Sequence, residues 1–135
     1  MRSPKRMVAT LLAFAMLSVG GVATAAPANA AVAYCNSINI NDSAFARPAY
    51  NSVSLNCYMH QYKQSGSGVR RLQEALTFCY RQDIAWDGVF GPATAAALAN
   101  AQRAEGIPAD GKYGPQTRDS MRWNLFNGNV SYCPS

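Results

Sequence analysis

The sequence is short of the residues that usually do chemistry. Its 135 residues include one histidine, His60, and two glutamates, Glu74 and Glu105, and only 14% are charged. There is no C-x-x-C pair, no G-x-S-x-G elbow and no phosphate-binding glycine loop. Without those spacings there is no recognisable zinc site, nucleophile elbow or nucleotide cradle, so no metal or cofactor is expected. Acidic residues are also scarce, 7 against 12 basic ones, for a formal charge of +5. That balance invites a nucleic-acid or anionic-surface reading, which depends on where the charges lie. A hydrophobic content of 49% excludes a disordered tail, and the length excludes a large enzyme.

Three of the basic residues, Arg2, Lys5 and Arg6, precede an apolar stretch from Met7 to Gly21. Small residues follow, ending in Ala28-Asn29-Ala30, the A-x-A pattern of an export signal. The stretch is shorter than the roughly 20 residues of a spanning helix, which disfavours the alternative of a short membrane anchor. Cleavage is expected after Ala30, with Ala23-Thr24-Ala25 and Ala31-Val32-Ala33 as competing sites. The expected organisation is a signal peptide over 1–30, an arm over 31–67 and a helical domain with a C-terminal tail over 68–135. The product would be a secreted, extracellular or wall-associated monomer without membrane attachment. Nine basic and seven acidic residues then remain, a net +2. They are scattered, without the basic stripe or basic–aromatic interleaving of a nucleic-acid binder.

All four cysteines, Cys35, Cys57, Cys79 and Cys133, lie beyond the signal. An even number in a small exported domain favours disulfides over a zinc site or a catalytic thiol. Of the three pairings, Cys35–Cys57 with Cys79–Cys133 is favoured. The first pair brackets one compact segment, and the second ties the first predicted helix to the tail.

Within the arm, Ser37–Asn41 and Val53–Cys57 alternate with period two and predict two short strands forming a hairpin. From Val69 the period changes. Val69, Leu72, Leu76 and Cys79 form one helical face, with Ser67 as N-cap. Arg70, Arg71, Gln73 and Glu74 fall outside this stripe and are expected in water.

The most informative feature is an internal repeat. Asp87-Gly88-Val89-Phe90-Gly91-Pro92-Ala93-Thr94 recurs 23 residues later as Asp110-Gly111-Lys112-Tyr113-Gly114-Pro115-Gln116-Thr117. Both copies read D-G-x-[FY]-G-P-x-T. Asp-Gly makes a tight turn, and the ring anchors it in the core. The second glycine, Gly91 or Gly114, allows close backbone approach. Proline then starts a helix, and threonine serves its free first-turn amides. Helix two presents Thr94, Leu98 and Ala101 and ends at Gly106. Helix three is expected from Pro115 to about Phe126, presenting Thr117, Met121 and Leu125. Such short helices must pack together, which predicts a small, mainly α domain.

The ordered set V-x-x-L-Q-x-x-L over residues 69–76, D-G-x-F-G-P-x-T, A-x-x-x-x-Q and G-x-x-x-D-G-x-Y-G-P-x-T resembles the peptidoglycan-binding domain family. The likeness spans roughly residues 68–126. It implies a three-helix cell-wall-binding module, here with a short β-hairpin in a disulfide-linked N-terminal arm. It also implies binding of bacterial peptidoglycan without catalysis. Trp86 and Ala101 depart from residues common in the family at their positions, and the arm lies outside the generic module.

Asp87 and Asp110 invite an acid–base reading, but their equivalent places in a repeat make them turn residues. Glu74 beside Arg70 and Arg71 reads as a solvated pair, and His60 as a surface or turn residue. A glycan–peptide strand offers sugar faces, amides and carboxylates, which aromatic rings and Arg or amide groups can meet. The candidates are Trp86, Tyr113, Gln116, Arg118 and Trp123, with Trp86 and Tyr113 also fitting plain core roles. Peptidoglycan glycan or stem peptide is the expected partner. The alternative is an inhibitor or adaptor that binds a secreted wall hydrolase. A lytic enzyme using an unrecognised carboxylate ranks last.

Overall fold

A 14-residue helix, α1 (Ser67–Tyr80), forms the centre of the fold, and the two arm strands, the second helix and the last strand pack against it. The computed structural model describes residues 32–40, 46–62, 64–127 and 130–134; the expected signal segment lies outside them. Before α1 come two short strands, β1 (Ser37–Asn39) and β2 (Arg47–Ala49). After it come α2 (Pro92–Ala104), α3 (Pro115–Ser120), β3 (Leu125–Asn127) and β4 (Val130–Tyr132). The strands form two antiparallel pairs, β1–β2 and β3–β4. Residues 31–135 constitute one compact unit.

The apolar face of α1 behaves as its period predicts: Val69, Leu72, Ala75 and Leu76 have no exposure. They pack with Phe90, Leu98, Ala101, Tyr113 and Trp123 in a single core. Each large side chain buried this way contributes about 1.5–3 kcal/mol before the entropy of ordering is subtracted. The disulfides pair Cys35 with Cys57 and Cys79 with Cys133, at Cα separations of 5.0 and 5.3 Å. The first staples the arm, and the second fastens the tail to the end of α1.

Four expectations need correction. The second strand of the arm is Arg47–Ala49, not Val53–Cys57, and it pairs Ser37 with Ala49, Ile38 with Pro48 and Asn39 with Arg47. Pro48 hides the strand from a propensity reading, although proline is tolerated in an edge strand. Residues 51–54 instead turn back on Tyr50, with Asn51 and Ser52 at φ 49° and 59°. Ser67 is not the N-cap of α1: it is already helical, and Gly66 occupies the cap without a side-chain bond.

Arg71 and Gln73 do not face water but are 4% and 1% exposed. The Arg71 guanidinium donates to the Ala46 carbonyl, the Asn124 side chain and the Asn124 carbonyl, joining the arm, α1 and the tail. Burial pulls this group below its ordinary pKa, against the raising effect of Glu74. Hydrophobic periodicity cannot report a polar face covered through hydrogen bonds.

Helix three stops at Ser120 rather than near Phe126, because other groups capture the atoms needed to continue it. The Trp123 indole N–H donates to the Arg118 carbonyl at 3.0 Å, the acceptor an extended helix would offer to Arg122. The Arg122 N–H donates to the Tyr80 hydroxyl at 2.7 Å, and Arg71 holds the Asn124 carbonyl at 2.6 Å. Beyond Met121, at ψ 147°, the chain is extended and forms the β3–β4 pair.

Candidate functional site

The two repeated turns are built alike, and each is pinned by a glutamine from the preceding helix. On α1, the Gln73 amide donates to Asp87 Oδ1 at 2.9 Å, the Val89 carbonyl at 3.1 Å and Thr94 Oγ1 at 3.0 Å. Its oxygen accepts the Gly88 N–H at 2.9 Å. On α2, the Gln102 amide donates to Asp110 Oδ1 at 3.0 Å, the Lys112 carbonyl at 2.9 Å and Thr117 Oγ1 at 3.0 Å. Its oxygen accepts the Gly111 N–H at 2.9 Å. The threonines therefore serve the glutamine rather than free helix amides, and neither α2 nor α3 has a side-chain cap.

Gly88 and Gly111 take φ of 71° and 65°, where a Cβ is strained. Asp87 Oδ1 also accepts the Val89 N–H, and that bond with the Gln73 amide holds the carboxyl below its usual range. Gln73 and Gln102 stand 14 and 8 residues before their aspartates. This unequal spacing is why the repeat in sequence does not include them.

The arm runs across both turns. Met59 exchanges backbone hydrogen bonds with Tyr113 at 3.0 and 2.8 Å. Farther along, Tyr62 N–H donates to the Phe90 carbonyl, Phe90 N–H to Gln64, and Gly66 N–H to Gly88. The two anchoring rings, Phe90 and Tyr113, are buried beneath this segment.

A groove of about 390 Å³ opens beside the second turn, lined mainly by Tyr58, Asp110, Lys112, Gly114, Pro115 and Gln116. Tyr113 and Thr117 contribute to its walls. A smaller cleft of about 220 Å³ brings Arg47, Arg118, Arg122, Asp119 and Trp123 together with Met121 and Pro134.

The five binding candidates do not form one site. Tyr113 and Gln116 line the groove; Tyr113 is 1% exposed, stacks edge-on with Trp123 at 6.1 Å, and burial raises its hydroxyl pKa. Arg118 and Trp123 line the smaller cleft. Arg118 pairs with Asp119 and donates to the Leu55 carbonyl and Asn56, tying α3 to the arm. Trp86 lies in neither cavity: it packs against Phe78 at 5.2 Å and donates to Thr77 Oγ1.

Sequence reasoning missed Tyr58 and Lys112 as groove residues. For Lys112 the signal was present in the repeat, because Lys112 and Gln116 stand where the first copy has Val89 and Ala93.

Both glutamates have structural partners. Glu74 pairs with Arg71 at 3.2 Å and Arg70 at 3.5 Å. Glu105 accepts from the Tyr80 hydroxyl at 2.7 Å and pairs with Arg122 at 3.1 Å. Burial, then the bond to Glu105, pushes the Tyr80 hydroxyl up to about 12. No group of three metal-ligating side chains occurs among the described residues, and no helix there is long and apolar enough to cross a membrane.

Residues 65–121 match the family model described as "Putative peptidoglycan binding domain". A 63-residue stretch is 38% identical to the N-acetylmuramoyl-L-alanine amidase CwlL of Bacillus licheniformis, covering 42% of this chain and 18% of that enzyme. The chain thus spans less than a fifth of that relative's length. The crystal structure of the SleB N-terminal domain aligns at 36% identity and a TM-score of 0.45, covering 47% of this chain and 86% of that one.

Proposed function

From the premise that residues 65–121 are a member of the peptidoglycan-binding domain family, we propose that this is a secreted, non-catalytic protein that attaches to bacterial cell-wall peptidoglycan. The observation that carries the reading is the pair of glutamine-pinned turns, the second of which presents an open groove on that frame. Preorganised grooves of this kind favour binding because little conformational entropy is lost on contact.

The carboxylates support a non-catalytic role. Asp87 and Asp110 are committed to their turns, and Glu74 and Glu105 to arginine and tyrosine partners. A general acid of the glycosidase type sits in a shielded pocket, whereas Asp87 and Asp110 are exposed and Glu74 and Glu105 are ion-paired. Attachment through hydrogen bonds and ring contacts, rather than bulk charge, should survive moderate salt.

The test is co-sedimentation of the purified protein with isolated sacculi at moderate salt, scored also for released soluble muropeptides. Retention without release is the expected result. Retention no better than that of an unrelated secreted protein overturns the reading. Capture of a stoichiometric wall hydrolase without sacculus binding would instead favour the adaptor role.

A further inference from the structure

The two turns share a frame but not a surface, and the difference locates the ligand. At the first turn, a Cβ added to Gly91 would meet nothing within 4 Å. At the second, a Cβ on Gly114 would come within 3.0 Å of the Tyr58 ring, so that ring lies over the turn. Tyr58 comes from the arm, outside the family match at 65–121. Its backbone is fixed on both sides, donating to the Ala33 carbonyl at 2.9 Å and accepting the Cys35 N–H at 3.1 Å. The neighbouring Cys57 is held to Cys35 by the first disulfide. The ring is thus pre-positioned, yet the residue remains 43% exposed.

Around this ring the second turn offers polar groups that the fold leaves unused. Asp110 spends Oδ1 on Gln102 and the Lys112 N–H, while Oδ2 accepts no hydrogen bond among the described residues. The Lys112 ammonium and the Gln116 amide, both exposed, likewise have no side-chain partner there. The first turn has Val89 and Ala93 at the corresponding places and offers neither donor.

We propose that the groove formed by Tyr58, Asp110, Lys112, Pro115 and Gln116 binds an N-acetylated hexosamine unit of the glycan strand, with Tyr58 as the arm's specificity-determining contribution. An apolar ring face, one acceptor, one cation and one amide suit a neutral sugar carrying hydroxyls and an acetamido group. One aspartate and one lysine balance the groove's charge, so it offers no net attraction to a stem peptide rich in carboxylates. The inference rests on the peptidoglycan-binding reading and specifies which part of the polymer is held.

Calorimetric titration with peptide-free glycan strands, and separately with free stem peptides, tests it. Glycan strands should bind and stem peptides should not. Tyr58→Ala should weaken glycan binding by about tenfold or more, the loss typical of an aromatic anchor. The double change Lys112→Val with Gln116→Ala gives the second turn the first turn's residues, which already fold in that frame, and should weaken binding similarly. Tyr62→Ala, at a 76% exposed tyrosine outside the groove, should stay within about twofold. Stem-peptide binding in place of glycan, or full glycan affinity in both groove variants, overturns the assignment while sacculus retention persists. Failure of the unaltered protein to bind sacculi would remove the broader reading instead.

Discussion

Replacing Gln102 is the sharpest perturbation of the frame, because one buried side chain serves four partners. Gln102→Leu keeps the approximate volume but leaves the buried Gly111 N–H without its 2.9 Å acceptor. It also removes the donor to the Lys112 carbonyl and the Thr117 hydroxyl. Asp110 is exposed and keeps the Lys112 N–H, so its loss matters little. One or two orphaned buried groups, at about 1–3 kcal/mol each, give an expected destabilisation of about 1–6 kcal/mol. A small domain is stable by about 5–15 kcal/mol, so the variant should fold with a visibly lower urea midpoint.

Gln102→Glu adds a signature of its own. It keeps an acceptor for Gly111 but aims an oxygen at Asp110, the Lys112 carbonyl and Thr117. Burial and Asp110 should raise the introduced carboxyl's folded pKa above its unfolded value near 4.3. A raised folded pKa contributes stability that is present below the unfolded pKa and lost as pH rises through the folded one. This variant should therefore be weakest near neutrality and regain stability towards pH 4. Urea unfolding with the disulfides intact measures both variants. A loss below about 0.5 kcal/mol for Gln102→Leu, the scale of an ordinary surface change, refutes the pinning argument.

Other consequences can be checked in parallel. Arg71→Lys should cost roughly 2 kcal/mol or more in denaturant unfolding, because an ammonium cannot reproduce a fork that reaches Ala46 and Asn124 together. Replacing Cys79 and Cys133 together by serine should destabilise more than replacing Cys35 and Cys57. Their separations of 54 and 22 residues correspond to roughly 4 and 3 kcal/mol of unfolded-chain entropy, and paired thermal melts will rank them. Asp87 has a depressed pKa, so its contribution is present above the usual carboxylate pKa and lost as pH falls through the folded value. Asp87→Asn should accordingly flatten part of the acid-side decline in melting temperature.

The legible parts of this fold were those written in local pattern. The stripe from Val69 to Cys79 and the Pro92 and Pro115 helix starts follow from periodicity and backbone chemistry. Less legible were features created when distant segments meet. Arg71 looks like a surface residue until the arm and Asn124 close over it. Helix three ends early because Trp123 and Tyr80 capture the atoms that would extend it. Of the five candidates, Tyr113 and Gln116 line the proposed groove, whereas Trp86, Arg118 and Trp123 lie elsewhere. Tyr58 reaches the second turn only through pairing of the arm with residue 113, a long-range contact with no local signature.

The most direct measurement is a residue-resolved NMR titration of the protein with soluble peptidoglycan glycan fragments. Amide shifts should concentrate at residues 110–117 and at Tyr58, with residues 87–94 little changed. Shifts centred on Trp86 and the first turn, or none at saturating fragment, would contradict the assignment of wall binding to the second turn.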